Sequence, residues 1–295
     1  MNKYPVYIIS KGRHDCCLTA KFMTDDKVDF RIVIEPQEEH LYLKHYKKDQ
    51  LLILPFSNLG KGSIPARNWC WEHSIEQGHE RHWLFDDNIR KVRRKYNRKR
   101  IPCNSMPALK SCEEFVDRYE NVGIAGMNYT FFAPDSQGLT PFFLNVHVYS
   151  NLLIKNDMPY RWRGRYNEDT DLCLQVLSGG LCTVLFNHVL IEKMLTMKMK
   201  GGNTDDLYKG DGRTTMARSL ERVWKGVVYT DRRFQRAQHV IKGAWKKFDT
   251  QLIRKKDVDW DKLQGTVNEF GHKLKQKDNI KSKKLKEWYE RNKKD

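Results

Sequence analysis

Two adjacent carboxylates, Asp86 and Asp87, close the apolar run His82-Trp83-Leu84-Phe85. Paired negative charge at a strand's end is costly without a cation beside it, and hard oxygen donors there suit Mg2+ or Mn2+ holding a diphosphate. In isolation such a pair also serves as a turn or a helix N-cap. Its neighbours favour binding. Ser10-Lys11-Gly12-Arg13 follows the first apolar run and Glu35 ends the second. Gly60-Lys61-Gly62-Ser63-Ile64-Pro65-Ala66-Arg67-Asn68 forms a glycine-bearing loop into a helix just before the pair. A second acid cluster, Asn167-Glu168-Asp169-Thr170-Asp171, opens a helix after the basic and aromatic stretch Arg161-Trp162-Arg163-Gly164-Arg165-Tyr166. Carboxylates placed so can take a proton from a hydroxyl, or cap the helix and oppose its dipole, and the two roles are compatible.

Between the acid clusters lies Arg90-Lys91-Val92-Arg93-Arg94-Lys95-Tyr96-Asn97-Arg98-Lys99-Arg100, eight basic residues in eleven. The ordinary reading is a solvated helix face. A small anionic ligand needs only two or three positive groups, so this density argues for a partner that is itself a polyanion. The whole chain agrees: 54 Lys and Arg against 37 Asp and Glu leave a formal charge of +17, which makes nucleic acid the first candidate partner.

Short apolar runs must position these residues. Residues 6–10, 30–35, 51–55, 82–85, 122–127, 145–149 and 183–187 read as strands, and 66–77, 111–120 and 169–178 as helices. This βαβ rhythm implies an α/β fold with a mostly parallel sheet, whose binding crevice lies at the carboxyl ends of its strands. From about Thr214 onward Gly and Pro are sparse, and Leu220, Val223, Trp224, Val227 and Val228 recur at helical spacing. The expectation is therefore residues 1–212 as the main domain and 213–295 as a basic helical C-terminal region. Its interleaved Trp245, Phe248, Trp260, Trp288 and Tyr289 suit either a polyanion contact or packing against the main domain. With 39% hydrophobic and 12% aromatic residues, the chain is not disordered in bulk. Its longest apolar runs are too short to span a membrane. Seven cysteines without C-x-x-C spacing suggest neither a disulfide framework nor a zinc ribbon and fit a reducing cytoplasm, as does a first strand with no leader before it.

The early strand with its basic turn, the acid ending the second, the G-x-x-x-x-A-R-N segment and the strand ending Asp86-Asp87-Asn88 together resemble the nucleotide-sugar-binding half of a GT-A glycosyltransferase. Within that group the chain is similar, over roughly residues 4–205, to the phage TET-associated glycosyltransferases, the opening Tyr4-Pro5-Val6-Tyr7-Ile8-Ile9-Ser10-Lys11-Gly12-Arg13 being the most characteristic part. The resemblance implies a nucleotide-sugar donor, a UDP-sugar foremost, held by Ser10, Lys11, Gly12, Arg13, Glu35, Gly62, Arg67, Asn68 and Asp86. It implies Asp87 and His188 as ligands of Mn2+ or Mg2+, and a closing loop carrying Lys200 and Asn203. Asp169, with Glu168 as second choice, would be the base that activates the acceptor. That acceptor would be the hydroxymethyl group of modified cytosine in phage DNA, bound by Arg90, Lys91, Arg93, Arg94, Lys95 and Arg98 and by Arg161, Trp162, Arg163 and Arg165. The protein would then be a monomer of the host cytoplasm. Asp86-Asp87-Asn88 departs from the commoner Asp-x-Asp and leaves the ligand assignment open. A GT-A enzyme acting on a protein, lipid or glycan is the alternative.

Overall fold

The computed structural model describes residues 2–194, 212–233, 236–243, 245–267 and 273. The chain forms two units, Met1–Ile253 and Arg254–Asp295. In the second, Asp259 caps the short helix Trp260–Leu263 by accepting from the Lys262 amide at 3.0 Å, and the Arg254 guanidinium lies over the Trp260 ring.

The first unit is built on one ten-stranded sheet in the order β3-β2-β1-β4-β9-β7-β10-β5-β6, with β8 against β10. The first four members, β1 (Val6–Ile9), β2 (Arg31–Ile34), β3 (Leu51–Ile53) and β4 (Arg81–Asp86), are mutually parallel. Their near-continuous apolar sequences match strands covered on both faces. β7 (Val122–Tyr129) is parallel to β10 (Cys182–Lys193). β5 (Ile89–Tyr96), β8 (Phe142–Leu144) and β9 (Asn151–Lys155) run antiparallel to their neighbours, and β6 (Lys99–Pro102) returns from β5. The α/β class is as expected, with a mixed sheet. The helices are α1 (Leu18–Asp25), α2 (Glu39–Tyr42), α3 (Ile64–Glu76), α4 (Ser105–Val116), α5 (Glu168–Ser178) and α6 (Gly212–Val223). One core cluster joins Trp71 of α3, Leu84 of β4, Ile124 of β7, Leu152 of β9 and Leu172 of α5 with the buried Trp162.

Three segments depart from expectation. Residues 90–100 are not a helix face but the hairpin β5–β6. Its turn residues Asn97 and Arg98 both have positive φ, 46° and 65°, as a two-residue turn of matching twist requires. Ile89 and Val92 are buried while Arg90 and Lys91 stay exposed. Residues 145–149 are an irregular link between β8 and β9, bracketed by the left-handed residues Asn145 (φ 56°) and Ser150 (φ 63°). The region after Thr214 is only partly helical. Gly226, at φ 77°, stops the chain after α6, and the β-branched run that follows forms the hairpin β11 (Val228–Arg233) with β12 (Arg236–Ile241). Leu220, Val228 and Ile241 pack on Leu174 of α5, so this hairpin belongs to the first unit.

Candidate active site

A cleft of about 520 Å³ opens at the carboxyl ends of β1, β2 and β4, a size suited to a small-molecule ligand. Of the residues expected to bind a donor, Ser10, Lys11, Arg13, Glu35, Gly62, Arg67 and Asp86 line it, together with Asp87, Arg165, Glu168 and Asp169.

On the β1–β2 side, the Lys11 ammonium donates to Glu35 at 3.0 Å and to Asn58 at 3.0 Å. Burial would raise the Glu35 carboxyl, but Lys11 and Gln37 outweigh it and hold it below its ordinary value. Gly12, at φ 64°, turns its amide onto the Glu38 carboxylate at 2.8 Å. Asn68 is a strut outside the cleft: its amide group donates to the Trp162 carbonyl at 2.9 Å and accepts from the Trp162 amide at 3.0 Å.

The floor is the Asp86–Asp87 pair. Asp86 accepts from Arg67 Nη2 at 3.0 Å and from Lys193 Nζ at 2.6 Å, and Lys193 also donates to Ser150 at 2.5 Å. Burial opposes ionisation of Asp86, yet Lys193 and Arg67 prevail and hold its pKa at about 2. Burial likewise acts to lower Lys193, and Asp86 more than reverses it. Asp87 is 4% exposed; Arg13 donates to one oxygen and Ser10 Oγ to the other at 2.8 Å. Burial raises its carboxyl despite those partners. All four oxygens of the pair thus face protein donors, and among the described residues no group of three or more His, Cys, Asp or Glu is arranged to hold a metal. His188 sits where β10 shifts register between Phe186 and Leu190. Its ring packs edge-on against Phe186 and meets Ser111 of α4 at 3.2 Å, and it is not among the residues lining the cleft. The expected Mn2+ or Mg2+ site at Asp87 and His188 is therefore not assembled, and these residues do not fit a divalent cation. Arg13, Arg67 and Lys193 supply the positive charge at the pair.

The far wall comes from the start of α5. Asn167 is left-handed at φ 54° and does not cap the helix; its side chain donates to the Met216 carbonyl of α6 at 2.7 Å. Glu168 lies 3.4 Å from Arg67 and accepts from Ser63 at 3.4 Å. Asp169 meets His147 Nε2 at 3.3 Å and accepts from the Thr170 amide at 2.7 Å. The two neighbours are pushed apart. Burial raises Glu168 against the pull of Arg67, with Asp169 adding to the rise. Burial acts the same way on Asp169, but His147 outweighs it and holds the carboxyl well below the ordinary range. His239 of β12 also lines the cleft and meets Thr170 at 3.4 Å.

The other predicted nucleic-acid contacts divide. Trp162 is 2% exposed under the Arg67 guanidinium, 4.7 Å from its ring centroid, and so is packing material that no base can reach. Arg161 is tied to Glu72 at 2.7 Å and lies over Trp71. Arg163 grips Asp171 with two bonds of 2.9 and 3.1 Å. Arg165 is exposed at the cleft. Arg93 pairs with Glu192 at 2.9 Å, and Arg94 lies over the Tyr96 ring. Arg90, Lys91 and Arg98 are exposed. Lys200 and Asn203 lie outside the described residues. Sequence reasoning missed Lys193, His147, Tyr129, Ser150 and His239, each a single polar residue with no neighbouring motif, brought to the cleft by strand pairing or by the β11–β12 hairpin.

A ligand crevice past the carboxyl ends of parallel strands, with charged groups on strand-end turns and a helix start, defines a nucleotide-binding type of α/β enzyme. The sequence profile of the TET-associated glycosyltransferases matches residues 4–202, and the chain belongs to that family; it is a glycosyltransferase. A solved structure of a candidate nucleotide-diphospho-sugar transferase from Desulfovibrio desulfuricans aligns at a TM-score of 0.36 and 12% identity, over 63% of this chain and 80% of that one. No curated protein matches. Among the described residues, no helix is long and apolar enough to cross a membrane.

Proposed function

We propose that the enzyme transfers a sugar from a nucleotide sugar, of the UDP-sugar class, to the hydroxymethyl group of a modified cytosine in DNA. The observation that carries the donor half is the floor of the cleft, where Arg13, Arg67 and Lys193 gather about Asp86 and Asp87 at a strand end. Lys11 and Glu35 offer hydrogen-bonding groups to the base and ribose. Arg67 and Lys193 face the diphosphate and stabilise the negative charge that grows on it as the glycosidic C–O bond breaks. The acceptor oxygen attacks the anomeric carbon, the diphosphate leaves, and the hydroxyl proton passes to the Asp169 carboxylate, which His147 and the Thr170 amide orient.

The acceptor half is supported by the exposed basic face of the β5–β6 hairpin, which begins three residues after Asp86. A neutral glycan gives such a face nothing to bind. The test is mass spectrometry of nucleosides from hydroxymethylated DNA incubated with the enzyme and a panel of nucleotide sugars. A new glycosylated nucleoside is expected. Sugar transfer to a protein, lipid or glycan with none to DNA would replace this reading by the alternative.

A further inference from the structure

Beside the basic hairpin the chain exposes two adjacent aromatic side chains. Phe131 is 77% and Phe132 52% exposed, in a single turn just after β7. Large apolar groups so exposed are characteristic of contact surfaces. The turn is not loose. Lys95 of β5 donates to the Ala133 carbonyl at 3.1 Å and to that of Pro134, while Arg100 of β6 donates to the Thr130 carbonyl at 3.0 Å and to Asp135 at 2.9 Å. Two hairpin cations are thereby taken up in holding the aromatics, and Arg90, Lys91, Arg98 and Lys99 remain exposed along the same hairpin, which has no acid between residues 89 and 102.

Inward, the rings continue to the cleft. Phe131 meets Phe132 at 5.2 Å, and Phe132 stacks on Tyr129 at 5.9 Å and 12°. Tyr129 meets Tyr149 at 4.3 Å, and Tyr149 meets His147, the partner of Asp169, at 5.1 Å. A chain of ring contacts, stacked between Phe132 and Tyr129 and tilted or edge-on elsewhere, thus runs from solvent to the acid at the acceptor wall.

We propose that the Phe131–Phe132 turn is a DNA-stacking wedge, which inserts against the bases beside the modified nucleotide while the exposed cations of the β5–β6 hairpin hold its flanking phosphates. Aromatic faces interleaved with Lys and Arg are the composition that binds exposed bases, and apolar wedges at base steps unstack a duplex. The partner is DNA because the hairpin that holds the rings is basic along its whole length and Asp135, the acid of the turn, is already paired with Arg100; a second copy of this chain, itself at +17, would meet repulsion here. The inference rests on the DNA reading of the acceptor and goes beyond it.

The experiment uses the full chain and a duplex oligonucleotide with one 5-hydroxymethylcytosine next to 2-aminopurine, whose emission reports unstacking. Binding by the wild type should change that emission. The double variant Phe131→Ala, Phe132→Ala should bind about 5- to 100-fold more weakly and, when saturated, leave the emission at its free-duplex level. Its salt slope should be unchanged, since the hairpin cations still neutralise the same phosphates. Phe131→Trp should preserve both signals. Equal affinity and equal emission in the alanine variant would overturn the wedge and leave the DNA reading standing. Failure of the wild type to bind either duplex or single-stranded DNA at low salt would overturn that reading as well. A wild-type dimer that the alanine variant dissociates, with DNA binding untouched, would make the patch an interface between copies and also overturn the wedge.

Discussion

Glu168 and Asp169 are adjacent in sequence, but their surroundings give them opposite acidities, and such splitting separates roles. Asp169→Asn keeps size while removing the oxygen that takes the proton. It is expected to lower kcat by about 10² to 10⁴ with little change in DNA affinity. If Glu168→Gln does this and Asp169→Asn does not, the base is the neighbour. The pH profile separates them too. Below its pKa a base is protonated and idle, so Asp169 places the acid limb of kcat under the ordinary carboxylate range, whereas Glu168, raised by burial, places it above 4.5. Lys193 makes a second residue-scale prediction. Asp86 has its folded pKa at about 2 against an ordinary 3.8, so its pairing stabilises the fold above about pH 4 and that contribution fades as pH falls toward about 2. Lys193→Ala should cost about 1–3 kcal/mol near neutral pH and flatten the acid dependence of Tm, because Asp86 then keeps Arg67 alone. Wild-type turnover is expected to survive excess chelator while Lys193→Ala loses it. Full inhibition by chelator would return Asp86 and Asp87 to a metal.

At the scale of elements, what was legible in the sequence were runs whose own pattern decides them. β1 to β4 and α3 are continuous apolar or amphipathic stretches, and the acids at their ends mark the crevice. β9 was not legible, because Asn151-Leu152-Leu153-Ile154-Lys155 follows directly on the cleft-facing 145–149 segment and only the left-handed Ser150 divides them. Nor was the second half of β10: Asn187 and His188 resemble a strand end, but their amides bond the Pro141 carbonyl and the strand resumes, carrying Lys193 to Asp86. The basic segment reads as a helix face because its buried residues, Ile89 and Val92, are three apart, a helical spacing that here arises from a register shift against β10 rather than from a helix. As a hairpin it offers Arg90, Lys91 and Arg98, not the paired Arg93 or the bonded Lys95. Replacing those three by Gln should weaken DNA binding and reduce the log–log salt slope by about 0.9 for each phosphate no longer neutralised, with Tm unchanged. An unaltered slope in filter-binding titrations would leave the hairpin a solvated face.

Over the whole molecule, the family match ends at residue 202, yet the folded unit extends to Ile253. α6 and the β11–β12 hairpin cover Leu174, while Met216 and His239 reach the cleft itself. No described residue of the clusters around Trp162 and Leu220 lies beyond Phe248. Residues 254–295 carry fourteen Lys and Arg against eight Asp and Glu. A chain ended after Ile253 should therefore melt within a few degrees of the full-length protein and retain its kcat at saturating DNA. It should bind that DNA more weakly and with a shallower salt dependence, since a net +6 of diffuse attraction has gone. A chain ended after residue 205 should differ in kind: Leu174 loses its cover, Asn167 its bond to the Met216 carbonyl, and the acceptor wall its His239. Thermal melts and steady-state kinetics on the two truncations distinguish these expectations, and normal turnover in the shorter one would confine the catalytic unit to the family-matched segment.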